Sequence, residues 1–97
     1  MLKTISGSVL DVLGQPIANA VVTFQLNDIG ASQGVIYTPN PVSTTTDLSG
    51  GFTIDLWVNQ LGLTPTKYRV LINRGPYIYV TIPDTLEELT ITDIYVK

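Results

Sequence analysis

Phe52-Thr53-Ile54-Asp55-Leu56-Trp57-Val58 alternates through a full strand length. Phe52, Ile54, Leu56 and Val58 fall on one face and Thr53, Asp55 and Trp57 on the other, because successive strand side chains point to opposite sides. Five more runs read the same way. Ile5, Gly7 and Val9 alternate with Thr4, Ser6 and Ser8, and Val22, Phe24 and Leu26 with Val21, Thr23 and Gln25. Tyr68, Val70 and Ile72 stand opposite Lys67, Arg69, Leu71 and Asn73; Ile78, Val80 and Ile82 stand opposite Tyr77, Tyr79 and Thr81. The last run holds Leu89 and Ile91, then Ile94 and Val96, a change of phase that predicts a bulge near Thr92-Asp93. Thirteen threonines, mostly inside these runs, suit pleated half-exposed faces better than helices.

The punctuation agrees. Gly14-Gln15-Pro16, Asn40-Pro41, Asp47-Leu48-Ser49-Gly50-Gly51, Leu63-Thr64-Pro65 and Arg74-Gly75-Pro76 are turn or loop signals between strands. Pro83-Asp84 ends the strand before it, since proline has no N–H for the ladder. Only Asp84 to Leu89 reads as helix-like, with Asp84 placed to cap a single turn. Val35-Ile36-Tyr37 forms at most a short edge strand, because Pro39 and Pro41 follow it. Seven or eight short strands at regular spacing predict an all-β, antiparallel β-sandwich over residues 1–97, one domain. Its predicted core is Phe24, Phe52, Ile54, Tyr68, Val70, Ile78 and Val80.

Composition narrows function mainly by exclusion. The chain is 44% hydrophobic and 13% charged, against a usual ~25% charged, which is too apolar for disorder. It contains no His and no Cys, so the commonest metal ligands, the usual general base and all thiol chemistry are missing. Eight acids against five bases give a net charge of −3, and no basic stripe offers itself to a nucleic-acid backbone. No apolar run approaches the ~20 residues of a membrane span. The opening Met1-Leu2-Lys3-Thr4 enters a strand pattern directly, without the apolar stretch and cleavage site of a signal peptide.

Two segments carry a family resemblance. Ile5-Ser6-Gly7-Ser8-Val9-Leu10-Asp11-Val12-Leu13-Gly14-Gln15-Pro16-Ile17-Ala18-Asn19-Ala20-Val21-Val22-Thr23-Phe24 and Thr44-Thr45-Thr46-Asp47-Leu48-Ser49-Gly50-Gly51-Phe52-Thr53-Ile54 resemble the carboxypeptidase regulatory-like, transthyretin-like (Ig-like) β-sandwich domains. In those domains a strand reads I-x-G-x-V, a turn D-x-x-G-x-P-[IL]-x-x-A and a hairpin T-D-x-x-G-x-F. Lys67-Tyr68-Arg69-Val70 resembles their later Y-x-V strand. The resemblance covers about residues 4–72 and implies a fold more than a function, because these motifs encode turns and core positions. Tyr79-Val80-Thr81-Ile82-Pro83-Asp84 is similar to a V-T-V-P-D segment of modules in bacteriophage tail-fibre and related virion proteins. That likeness implies a structural or attachment role in a phage particle (tail fibre, baseplate or head decoration), exercised through protein–protein contacts within symmetric assemblies. The alternative is a glycan- or peptide-binding domain of a secreted or cell-surface bacterial protein.

Catalysis is not expected, since no proton carrier poised near neutral pH or metal set is visible, and no cofactor is expected either. Asp11, Asp47 and Asp84 fall at strand ends as oxygen ligands for Ca²⁺, but turn duty is the stronger expectation for each. Lys3 and Asp93 sit where related sandwiches place a covalent cross-link; two solvated charges are the expected state. The outward residues are more informative. Trp57, Arg69, Leu71, Tyr77 and Tyr79 fall out of phase with the core, and aromatics with an Arg are what protein interfaces favour. They are the candidate interaction surface for a protein partner or for self-association, with glycan stacking as the secondary use. The competing expectation for Trp57 is burial under a neighbouring loop such as Asn59 to Pro65.

Overall fold

A computed structural model describes residues 2–96. It is all-β, with ten strands: β1 (Leu2–Ser8), β2 (Val21–Leu26), β3 (Gly30–Ser32), β4 (Val35–Tyr37), β5 (Val42–Thr45), β6 (Gly51–Trp57), β7 (Tyr68–Ile72), β8 (Tyr77–Val80), β9 (Leu89–Thr90) and β10 (Tyr95–Val96). They form a three-stranded sheet in the order β6-β1-β9, a five-stranded sheet in the order β10-β8-β7-β2-β5, and a separate β3-β4 hairpin. Among the described residues every pairing is antiparallel except β1 with β9, which run parallel.

The alternation read from the sequence becomes burial in the strands. On β2, Val22, Phe24 and Leu26 are buried; on β7, Tyr68 and Val70; on β8, Val80. The three-stranded sheet adds Ile5, Phe52, Leu56 and Leu89 to the same apolar cluster. Ile54 and Ile78, expected in the core, are partly buried and pack against it. Phe24 and Phe52 meet with ring centroids 6.4 Å apart at 52°, so the two sheets share one core. Tyr68 keeps its hydroxyl inside by donating to the Trp57 carbonyl at 2.8 Å, and burial pushes its phenol well above the usual tyrosine range.

The end of the chain corrects two expectations. The phase change near Thr92-Asp93 is a turn rather than a bulge. Residues 91–94 form it, Asp93 N–H donates to Thr90 O at 3.1 Å, and the chain leaves the three-stranded sheet as β9 to enter the five-stranded one as β10. A sequence period cannot separate these cases, because both shift the apolar positions by one. The Asp84–Leu89 stretch makes no helical turn: Glu87 N–H reaches the Thr85 hydroxyl at 3.3 Å, and Leu89 already belongs to β9. The one helical piece among the described residues is instead a 3-10 turn at Asn59–Leu61. Buried Asn59 pins it, donating to Thr66 O at 2.7 Å and accepting from Ile82 N–H at 2.8 Å.

The turn aspartates singled out in the sequence act as backbone closures. Asp11 Oδ1 accepts from Leu13 N–H at 2.9 Å and Gln15 N–H at 3.0 Å. Asp47 Oδ1 accepts from Ser49 N–H, Ser49 Oγ and Gly51 N–H at 2.9, 2.7 and 3.0 Å. These bonds favour the carboxylate, so Asp47 titrates below its ordinary 3.8. A depressed folded value means that its stabilisation is complete above 3.8 and fades as pH falls through the lower folded value. An Asp47→Ala variant should therefore melt below wild type near neutral pH, with the gap narrowing once the pH drops under 3.8. A gap that is unchanged across an acid series of melting curves would show that the charge contributes nothing to this turn.

Candidate functional site

The site is built on β7 and β8, whose core alternation leaves the other parity facing outward. Their register sets Arg69 opposite Tyr79 and Leu71 opposite Tyr77. On the other side of β7, Gln25 stands opposite Arg69 and Thr23 opposite Leu71, and β5 continues the row with Ser43 opposite Thr23. Thr23 and Ser43 share a hydroxyl hydrogen bond of 2.9 Å, while Gln25 donates to Pro39 O at 2.9 Å. Four of the five expected surface residues (Arg69, Leu71, Tyr77 and Tyr79) therefore come together on the outer face of the five-stranded sheet.

Their side chains interlock. Tyr77 and Tyr79 meet edge to face at 5.4 Å and 78°, the arrangement favoured by ring quadrupoles. The Arg69 guanidinium lies over the Tyr77 ring at 5.0 Å and the Lys67 ammonium over Tyr79 at 5.7 Å, both within cation–π range. Arg69 Nε is buried without an acceptor. The Tyr79 hydroxyl holds the Tyr77 phenol above its ordinary 10.0, with Arg69 pulling the other way. Tyr77 therefore stays neutral near pH 7, and it remains 49% exposed. A cationic, aromatic, ordered face of this kind can grip an apolar or anionic surface.

Trp57 does not belong to it, which corrects the expectation from its phase. It does alternate with Thr53 and Asp55, but it is only 5% exposed. Its indole stacks on Tyr37 with centroids 3.9 Å apart and planes 9° from parallel. The β3-β4 hairpin closes over it because Gly30 has no side chain: a Cβ there would overlap the indole Cζ3. Gly62, just past the 3-10 turn, approaches the same edge of the ring, where a Cβ would lie 3.0 Å from Cη2. Thus both a hairpin and the predicted Asn59–Pro65 loop cover the indole. Parity reports which side of a strand a residue is on; it is silent about what packs on that side.

Lys67 is the member that the sequence expectation left out. The signal was present, since Lys67 shares the parity of Arg69 and Leu71, but nothing local to the sequence places its ammonium over Tyr79.

The carboxylates divide otherwise than a cation site would need. Ser8 pairs with Gly51 at one end of β1 and Leu2 with Trp57 at the other. Asp11 and Asp47 lie beyond the first end, where Val9 N–H donates to Gly50 O at 2.8 Å. Asp84 lies beyond the second, its N–H bonded to Gln60 Oε1 at 2.8 Å. Among the described residues no group of three His, Cys, Asp or Glu is placed to hold a metal. Lys3 and Asp93 have separate partners: the Lys3 ammonium donates to Thr85 O at 2.9 Å, and Asp93 Oδ2 accepts from Thr90 N–H and Oγ1, each at 2.9 Å. Among the described residues no helix is long and apolar enough to cross a membrane.

Compared with known proteins, the chain matches no family model and no curated sequence.

Proposed function

We propose that this chain is a non-enzymatic structural or attachment module with a transthyretin-like β-sandwich fold, part of a bacteriophage virion, acting through protein–protein contacts. Two sheets sharing one core around Phe24 and Phe52 support the sandwich. The turn motifs around Asp11 and Asp47 support the transthyretin-like reading, and the Tyr79 to Asp84 segment supports the virion setting. One observation carries the contact role: the Lys67–Tyr79–Tyr77–Arg69 array is pre-ordered on an open sheet face. Ordered aromatic and Arg side chains lose little freedom on docking, which is why such residues dominate interface energies. Glycan stacking, the competing use of these tyrosines, is disfavoured because Arg69 already occupies a face of the Tyr77 ring.

Two measurements test this. The gene should lie among virion structural genes; a position within a secretion or surface-polysaccharide cluster would favour the ligand-binding alternative instead. In a phage carrying Tyr77→Ala/Tyr79→Ala, purified particles should lack this chain or the component next to it, while Thr53→Ala on the other sheet is incorporated normally. Normal incorporation of the double variant would remove the face from the contact.

A further inference from the structure

The cationic face is matched by an acidic element of the same chain that its described side-chain contacts within one copy do not include. None of the eight acidic side chains falls on β2, β5, β7, β8 or β10, so among the described residues this sheet carries Arg69, with Lys67 just before β7, and no acidic side chain. Among the described residues, the Lys67 and Arg69 side chains are engaged by tyrosine rings alone, and Arg69 Nε has no acceptor. Carboxylates are instead concentrated in the loop before β9, where Asp84, Glu87 and Glu88 are exposed around Leu86, itself 99% exposed. A fully exposed leucine flanked by three acids is an apolar plug with an anionic rim, complementary to an aromatic patch rimmed by Lys and Arg.

The loop is anchored to the opposite sheet. Lys3 of β1 donates to its Thr85 carbonyl at 2.9 Å, and the chain runs on directly into β9, which pairs with β1. The cationic face is the outer side of the other sheet. Among the described residues the loop bonds to Lys3, to Gln60 and within itself, while Lys67 and Arg69 meet tyrosine rings, so the contact between loop and face is left to a second copy.

We infer that the Lys67/Arg69/Tyr77/Tyr79 face is the docking site for the Asp84–Glu88 loop of a second copy of this chain, giving head-to-tail assembly. This rests on the reading of that face as a contact surface and names its occupant. In the head-to-tail arrangement each contact leaves a free loop on one copy and a free face on the other, so its repetition generates a ring or a filament. The charged rim makes association salt-sensitive, since exposed charge pairs are screened over about a Debye length (~10 Å at 0.1 M salt).

The test uses charge exchange. One variant reverses the loop (Glu87→Lys/Glu88→Lys) and a second reverses the face (Lys67→Glu/Arg69→Glu), with Lys67→Gln/Arg69→Gln held ready should the second unfold. Chromatography with light scattering over a concentration series should show wild type growing in mass at low salt and shrinking at high salt. Each reversed variant alone should stay monomeric, since its loop and face then carry like charge. An equimolar mixture of the two reversed variants should assemble again, because each loop now fits the other variant's face. A wild type that remains monomeric at millimolar concentration overturns the inference, as does a mixture that fails to restore assembly. Assembly lost on face reversal but kept on loop reversal also overturns it, while leaving the face as a contact surface for another occupant. Assembly indifferent to both reversals removes the face as well.

Discussion

Replacing Trp57 by alanine should destabilise the domain by about 3–5 kcal/mol, the range for deleting a large buried aromatic. The ring is 5% exposed, stacked on Tyr37 and approached closely by Gly30 and Gly62, so its removal leaves a cavity that three separate segments would have to collapse to fill. Against a total stability of about 5–15 kcal/mol for domains generally, that is a large fraction. As the only tryptophan in the chain, Trp57 reports on itself: its fluorescence should be blue-shifted in the native state and move to the red on unfolding. Gly30→Ala provides the matching test from the other side. Its Cβ would overlap the indole, and overpacking of this kind costs about 1–3 kcal/mol. In the Trp57→Ala background the same change should be close to neutral, because the atom it collides with is gone. Denaturant titrations of the four proteins would give that coupling. If Trp57→Ala melts with wild type, the hairpin does not close over the indole in solution.

Gly50→Ala should be the most damaging single-methyl change at the opposite end. Gly50 has φ +81°, a region that costs a residue with a Cβ about 1–2 kcal/mol. The added Cβ would also lie 2.5 Å from the Val9 carbonyl oxygen. That atom cannot rotate away, since Val9 O accepts from Ile17 N–H at 2.9 Å while Val9 N–H is held by Gly50 O. Gly14 is the internal control. Its φ is +82°, but nothing lies within 4 Å of where its Cβ would be. Gly14→Ala should show the conformational penalty alone, and Gly50→Ala that penalty plus about 1–3 kcal/mol of steric overlap. Equal losses in the two variants, measured by thermal or urea unfolding, would mean that the Asp11 and Asp47 loops do not pack on one another as described.

The outer face of the five-stranded sheet was legible from parity alone: Arg69, Leu71, Tyr77 and Tyr79 were placed together by alternation on two adjacent runs. Alternation also found most of the core, because burial on one side of a strand is written into every second residue. The carboxylates at Asp11 and Asp47 were legible as turn closures for a similar reason. An Asx turn is made within a few residues, so its partners are already present in the local sequence.

What the sequence determined by itself is therefore whatever repeats or closes over short distances: the strand periods, the turns, the all-β class and the outward tyrosine–arginine pairing. The tertiary structure decided the rest. It buried Trp57, although its parity points outward, because a glycine 27 positions earlier lets a hairpin lie flat on the indole. It sent Leu89–Thr90 and Tyr95–Val96 to different sheets, with β9 parallel to β1. It also anchored the acidic loop to β1 through Lys3, while Lys67 and Arg69 meet the rings of Tyr79 and Tyr77 on the other sheet. In each case the deciding contact joins residues far apart along the chain, and a period of two records which side a residue faces but never what comes to meet it.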